Sequence, residues 1–186
     1  MIPALPTYSP ADMNDGILDS RALRTALGGF ATGVTIVTCR ASTGERVGLT
    51  VNSFSALSLD PPMVLWSLRL ASPSLAVFDG AGHFAINVLA QAQVDLSRRF
   101  ASAVPAKFDA GLWGQGVAGV PVLAGCAATF ECELASHQVA GDHRLYLGRV
   151  VAVTSQIVPP LVYHGGHYHW LGEVLSNTTG RMPCGS

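Results

Sequence analysis

Thr50-Val51-Asn52-Ser53-Phe54-Ser55-Ala56-Leu57-Ser58-Leu59-Asp60-Pro61-Pro62 is the most informative stretch of this sequence. An apolar predicted strand, residues 46–51, runs into short hydroxyl and amide side chains and then into two prolines. Such side chains can exchange hydrogen bonds along the contour of a ligand. The stretch therefore predicts either a ligand-binding strand end or an ordinary polar turn.

Outward from this stretch, short strands outnumber short helices. Strands are predicted over residues 34–40, 46–51, 63–68, 83–89, 127–135, 144–154 and 168–171, and helices over 21–27, 72–78 and 93–100. This pattern favours a mainly β fold, an antiparallel barrel with peripheral helices. A doubly wound parallel sheet is disfavoured, because no Gly-x-Gly-x-x-Gly follows a strand and opens a helix. One domain is expected over residues 18–174, between a flexible N-terminal arm (1–17) and a flexible C-terminal tail (175–186).

The composition bears on partners and location. Hydrophobic residues make up 49% of the 186 residues and charged residues 12%, against roughly 25% charged in an average soluble domain. This predicts apolar surface hidden in a homodimer, with a well-buried monomer as the alternative. The net charge of −1 and the lack of a basic cluster beyond Arg98-Arg99 argue against nucleic acid and anionic membranes as partners. Without a signal peptide or a membrane span, the expected location is the cytoplasm, and the four cysteines are expected to be structural thiols.

The segment from Ser67 to Ser74 is the second candidate site. It places Ser67, Arg69, Ser72 and Ser74 where a loop enters a predicted helix, and free N–H groups with hydroxyls and an arginine suit a phosphate. Capping of the helix by Ser72, with Pro73 at its first position, is the alternative explanation.

Together with Phe30-Ala31-Thr32-Gly33-Val34 and Gly141-Asp142-His143, these motifs resemble the short-chain flavin reductases, and the resemblance spans residues 20–172. That family has an antiparallel FMN-binding split β-barrel of Greek-key type. The resemblance implies hydride transfer from NADH or NADPH to FMN or FAD. It also implies a homodimer that supplies reduced flavin to a separate flavin-dependent monooxygenase.

The resemblance also assigns roles to individual residues. Flavin contacts are expected from Thr50, Val51, Asn52, Ser53, Phe54 and Ser55, and flavin-phosphate contacts from Ser67, Arg69, Ser72 and Ser74. Further cofactor contacts are expected from Asn87, Phe100, Lys107, His167 and Tyr168, although Asn87 equally suits a structural hydrogen bond, Phe100 the core and Lys107 simple solvation.

His143 is expected beside the nicotinamide, with Asp142 fixing its tautomer. Hydride transfer needs no acid or base when the two rings stack with the reacting atoms roughly 3.5 Å apart. We therefore expect catalysis to depend mostly on positioning.

Two other interpretations remain open, and a third is disfavoured. One is a reductase on the same scaffold that passes electrons from bound flavin to a metal chelate or corrinoid. Another is a non-enzymatic flavin or haem binder, in which His143 or His167 would serve as the haem ligand. A metal site at His164, His167 and His169 is disfavoured, because no carboxylate or cysteine nearby completes it.

Overall fold

The computed structural model describes residues 19–173. The predicted arm (1–17) and tail (175–186) lie outside the described residues. The helices are α1 (Ser20–Gly28), α2 (Leu75–Gly80) and α3 (Val94–Ala101). The strands are β1 (Thr32–Gly33), β2 (Thr35–Arg40), β3 (Arg46–Val51), β4 (Ser55–Leu59), β5 (Pro62–Arg69), β6 (His83–Val88), β7 (Trp113–Gln115), β8 (Pro121–Leu123), β9 (Ala128–Ala140), β10 (His143–Ser155), β11 (Val162–His164) and β12 (His167–His169).

Seven antiparallel strands form the main sheet, in the order β3-β2-β6-β9-β10-β5-β4. The long hairpin β9–β10 lies at its centre, and β3 and β4 are its two outer strands. These two strands follow each other in the chain but do not pair with each other, so the barrel is split between them. The prediction of a mainly β, antiparallel split barrel is confirmed.

The interior of the barrel contains two apolar clusters. In the first, the Trp66 ring stacks on Tyr146 with centroids 4.5 Å apart and meets Phe78 edge-on at 5.0 Å. In the second, the rings of Phe100, Phe108 and Trp113 pack against one another, with centroids 4.8 to 5.3 Å apart. Aromatic packing of this kind holds the sheet together from inside and fixes the strand ends from which the candidate site is built.

Two local predictions differ from the structure. The polar stretch after Asn52 continues as strand β4, which pairs antiparallel with β5; cross-strand pairing to an apolar neighbour outweighs the polarity of the segment. Helix α2 begins at Leu75, two residues later than the predicted first helical residue Pro73, and its N-cap is Ser74 rather than Ser72. Ser72 instead accepts a hydrogen bond from the Ser74 N–H in the turn before the helix, at 3.3 Å.

The N-terminal helix follows its sequence signal closely. The Asp19 carboxylate accepts the Arg21 N–H at 2.9 Å and so caps α1, because aspartate is a favoured N-cap residue. Among residues 19–173, no helix is long and apolar enough to cross a membrane.

The thiols of Cys39, Cys126 and Cys132 are buried and reduced, and burial raises the pKa of each to about 12. These three thiols therefore remain protonated near neutral pH, as expected of structural cysteines. Cys184 lies outside the described residues.

Candidate functional site

A cavity of about 470 Å³ opens where three strand ends converge. We call it the first cavity. Its wall combines the end of β3 and the following segment, the end of β5 and the loop after it, and the first residue of β10. The lining residues are Leu49, Thr50, Val51, Asn52, Ser53, Ser67, Leu68, Arg69, Ala71, Ser72, Pro73 and His143. The first cavity thus unites the two polar segments and the histidine that the sequence indicates separately.

The position of His143 follows from a two-residue turn. Gly141 and Asp142 join β9 to β10, and Gly141 has φ +61°, a conformation that glycine adopts without steric strain. The turn makes His143 the first residue of β10, directly opposite Arg69 on β5. Both side chains therefore reach the same cavity wall.

The His143 imidazole is oriented by its neighbour. Its Nδ1 lies 2.7 Å from Oδ1 of Asp142. This contact lowers the pKa of Asp142, chiefly through the hydrogen bond itself. With Nδ1–H donating to the carboxylate, Nε2 faces no partner among residues 19–173 and is left for a ligand.

The hydroxyls of the Thr50–Ser55 run have structural partners. Thr50 Oγ1 donates to the Ser97 carbonyl at 2.7 Å, which ties β3 to α3. Ser53 Oγ donates to the Ser67 carbonyl at 3.1 Å and accepts the Ser67 N–H at 3.0 Å. These two hydroxyls therefore fix the wall of the cavity, and each still has a lone pair with which to accept a further hydrogen bond.

Besides His143 Nε2, the Asn52 amide and the Arg69 guanidinium of the first cavity are left open for a ligand. Both side chains are exposed, and neither makes a hydrogen bond among residues 19–173. Ser72 contributes its hydroxyl at the same rim. A cation, an amide and a hydroxyl on one rim suit an anionic, polyhydroxylated chain such as a sugar phosphate.

Eight predicted contacts lie outside the first cavity, namely Phe54, Ser55, Ser74, Asn87, Phe100, Lys107, His167 and Tyr168. Phe54 packs on Phe130 with ring centroids 5.5 Å apart, and Ser55 is exposed on β4 with its hydroxyl donating to the Ala56 carbonyl. Phe100 is buried in the second apolar cluster. His167 is exposed in the β11–β12 hairpin.

Asn87 is buried on β6, and its amide is satisfied within the barrel. Its Nδ2 donates to the Ile36 carbonyl at 3.0 Å, and its Oδ1 accepts the Leu123 N–H at 2.8 Å. This is the structural alternative that the sequence left open, and it places the amide away from the first cavity.

Ser74 and Lys107 line a neighbouring cavity of about 580 Å³, which we call the second cavity. Lys107 Nζ donates to the Phe100 carbonyl at 3.2 Å, and partial burial lowers its pKa. The two cavities adjoin at Pro73, which lines both.

Tyr168 lines a third, smaller cavity of about 210 Å³, beside Thr50, Val51 and Asn52. Its hydroxyl lies 2.9 Å from Ser97 Oγ, and its ring meets Tyr163 edge-on at 5.4 Å. Because Thr50, Val51 and Asn52 also line the first cavity, the first and third cavities adjoin at the end of β3.

The hairpin histidines do not form a metal centre with other ligands. The His164 and His169 rings lie 5.8 Å apart. Among residues 19–173, no three histidine, cysteine, aspartate or glutamate side chains converge as a metal site requires.

Fold and cavity together define an antiparallel split barrel with a polar ligand site at one end of the sheet. The flavin reductase-like domain family matches residues 27–172, and the chain belongs to this family.

Individual relatives agree with this assignment. The chain is 45% identical over 150 residues to the FMN reductase (NADH) SmoA of Agrobacterium fabrum, covering 81% of this chain and 85% of that protein. The structure of the styrene monooxygenase flavin reductase of Pseudomonas putida S12 superposes with a TM-score of 0.75 at 32% identity, covering 82% of this chain and 98% of that one.

A third relative, the probable flavin reductase of Rhizobium meliloti, is 43% identical over 156 residues. The match covers 84% of this chain and 50% of that protein, so the chain spans about half the length of this relative.

A flavin fits the residues of the first cavity. Leu49, Val51, Leu68 and Pro73 supply apolar surface for a flat heterocycle, and Asn52, Arg69 and Ser72 supply polar groups for a ribityl phosphate chain. Leu49, Leu68 and Pro73 were not predicted, since each is an apolar neighbour of a predicted polar residue and carries no signal of its own. Tyr163, beside Tyr168, was also missed, although it lies in the same aromatic hairpin.

Proposed function

We propose that the protein is an NAD(P)H:flavin oxidoreductase that transfers a hydride from a nicotinamide to FMN or FAD. The observation that carries this proposal is the first cavity, where Asn52, Arg69 and His143 converge beside an apolar wall. The family assignment and the relative that uses NADH support the same chemistry.

In this proposal the flavin supplies the two-electron acceptor, and the protein supplies binding and orientation. The backbone of Thr50–Ser53 would hold the polar edge of the ring, Asn52 would bond the ribityl hydroxyls, and Arg69 and Ser72 would bind the phosphate. The hydrogen bonds of Thr50 to α3 and of Ser53 to β5 keep this wall rigid, so little ordering is left to occur on binding.

His143 orients the second substrate. With Nδ1 directed at Asp142, its Nε2 meets the nicotinamide or its dinucleotide and holds it flat against the ring. No side chain needs to donate or remove a proton during hydride transfer, so the gain in rate comes from proximity. His143 is thus a positioning group with direct substrate contact.

The reduced flavin is then released to a separate monooxygenase. The names of relatives that are reductase components of monooxygenases, such as the styrene monooxygenase flavin reductase, support this step. The protein itself then needs no site for the organic substrate.

We also propose that the protein is a homodimer. Four exposed apolar side chains, Leu57, Leu59, Val151 and Val153, lie on β4 and β10, which flank β5. Exposed apolar residues that are grouped in one part of a sheet mark an interface better than the same residues scattered singly.

The activity is tested by mixing the purified protein with NADH or NADPH and with no flavin, FMN or FAD. Nicotinamide oxidation that depends on added flavin, together with reduced flavin in an anaerobic ultrafiltrate, is the expected result. Absence of turnover with every pair of nucleotide and flavin contradicts the proposal.

A further inference from the structure

The second cavity continues the first one along the chain. The two cavities meet at the loop before α2, where Ser72 lines the first cavity, Ser74 lines the second and Pro73 lines both. A ligand that leaves the first cavity past Ser72 therefore enters the second.

The surface of the second cavity suits a purine. Its lining includes the apolar side chains of Pro73, Val77, Val104 and Pro105. Glu45 and Asp109 add two carboxylates to the lining. A flat base buries apolar area against such side chains, and an exocyclic amino group finds an acceptor in a carboxylate.

The same cavity carries two cations. The Arg46 guanidinium lies 4.8 Å from the centroid of the Phe108 ring and makes no hydrogen bond among residues 19–173. Lys107 uses one donor on the Phe100 carbonyl and keeps two for a ligand. These cations balance the two carboxylates, so the compartment as a whole is close to neutral and suits a nucleoside whose phosphates lie at the entrance.

We propose that the second cavity binds the adenylate half of FAD, so that the protein selects FAD over FMN. The inference rests on the proposed function, because it extends a flavin from the first cavity past Ser72 and Pro73. It also names Arg46, which lies outside the predicted flavin contacts, as a residue that determines the choice of flavin.

The test is calorimetric binding of FAD and of FMN in the absence of nicotinamide nucleotide. We expect the wild type to bind FAD at least about fivefold more tightly than FMN. Arg46→Glu is expected to raise the Kd for FAD about tenfold and to leave the Kd for FMN within about twofold, since only the dinucleotide reaches this cation. Val104→Trp, which fills the cavity from an exposed position, is expected to act in the same selective way.

Arg24→Glu is the matched control, because Arg24 is an exposed arginine on α1 outside both cavities. Equal affinity of the wild type for FMN and FAD overturns the inference, and so does an equal loss of both flavins in the two variants. A rise in the KM for NADH with FMN as acceptor, with the Kd for FAD unchanged, overturns it as well, because the adenylate would then come from the nicotinamide nucleotide. Binding is measured without turnover, so a failure of the reductase assay is distinguishable from a failure of this inference.

Discussion

The imidazole of His143 and the carboxylate of Asp142 act as one unit at the rim of the first cavity. The carboxylate is exposed, yet its contact with Nδ1 is short, at 2.7 Å. Because the hydrogen bond lowers the pKa of Asp142, its stabilising effect is present above the ordinary pKa of an aspartate and is lost only as the pH falls through the lowered value. The carboxylate therefore remains ionised near neutral pH, and it continues to orient the ring there.

Asp142→Ala is expected to raise the KM for the nicotinamide nucleotide roughly threefold, because the ring loses its orientation and an exposed contact of this kind contributes modestly. The Kd for flavin is expected to remain unchanged. Steady-state kinetics and calorimetry measure the two quantities. Asp95→Ala, which removes an exposed carboxylate paired with Arg98, is the control and is expected to change neither. An unchanged KM in Asp142→Ala would show that the pair has no part in binding the nucleotide.

At the scale of elements, the site depends on links between structures that are distant in sequence. Ser53 joins the β3–β4 segment to β5, and Thr50 joins β3 to α3. The Tyr146 hydroxyl donates to Asp79 at 2.7 Å and connects α2 to β10. Burial and this contact raise the pKa of Tyr146, so the hydroxyl keeps its proton. This link holds α2 in place, and α2 directly follows the loop that lines the cavity.

Asn87 and Asn52 have different expected roles, the first in stability and the second in flavin binding. Asn87→Ala leaves the Ile36 carbonyl and the Leu123 N–H buried without partners, so we expect a loss of about 2 kcal/mol in the free energy of unfolding. Asn52→Ala removes an exposed amide and is expected to change stability by less than about 0.5 kcal/mol while raising the Kd for flavin several-fold.

Denaturant unfolding and flavin titration of both variants measure this contrast. If Asn87→Ala weakened flavin binding without lowering stability, its amide would be a cofactor contact, as the resemblance first implied. If Asn52→Ala left flavin binding intact, the Asn52 amide would not be a flavin contact, which would contradict the proposed site.

At the scale of the whole molecule, the split of the barrel and its exposed apolar side chains belong together. The outer strand β4 carries Leu57 and Leu59, with Leu59 95% exposed, and Val153 on β10 is 59% exposed. Outer strands that combine an unpaired edge with exposed apolar side chains are usually covered in solution by another part of the protein or by a partner. A second copy of the chain provides that cover most simply.

Sedimentation of the wild type is expected to give twice the chain mass of 19.4 kDa. Leu59→Asp together with Val153→Asp is expected to give the single-chain mass, because two charges would be desolvated at the interface. Ser136→Asp, at an exposed position on β9, serves as the control. A monomeric wild type would contradict the homodimer.

The sequence alone determined the strand content, the antiparallel barrel and the segments that line the cavity, because strand periodicity, turn residues and motif order are local signals. It identified Thr50–Ser53, Ser67, Arg69, Ser72 and His143, which the structure brings to one cavity. Only the tertiary structure decided how Asn87 and Phe100 are used, why Ser55 begins a strand, and that Pro73 joins two cavities. Each of these outcomes depends on a partner far away in the chain, and a residue's own type does not reveal whether such a partner will satisfy its hydrogen bonds or bury its surface.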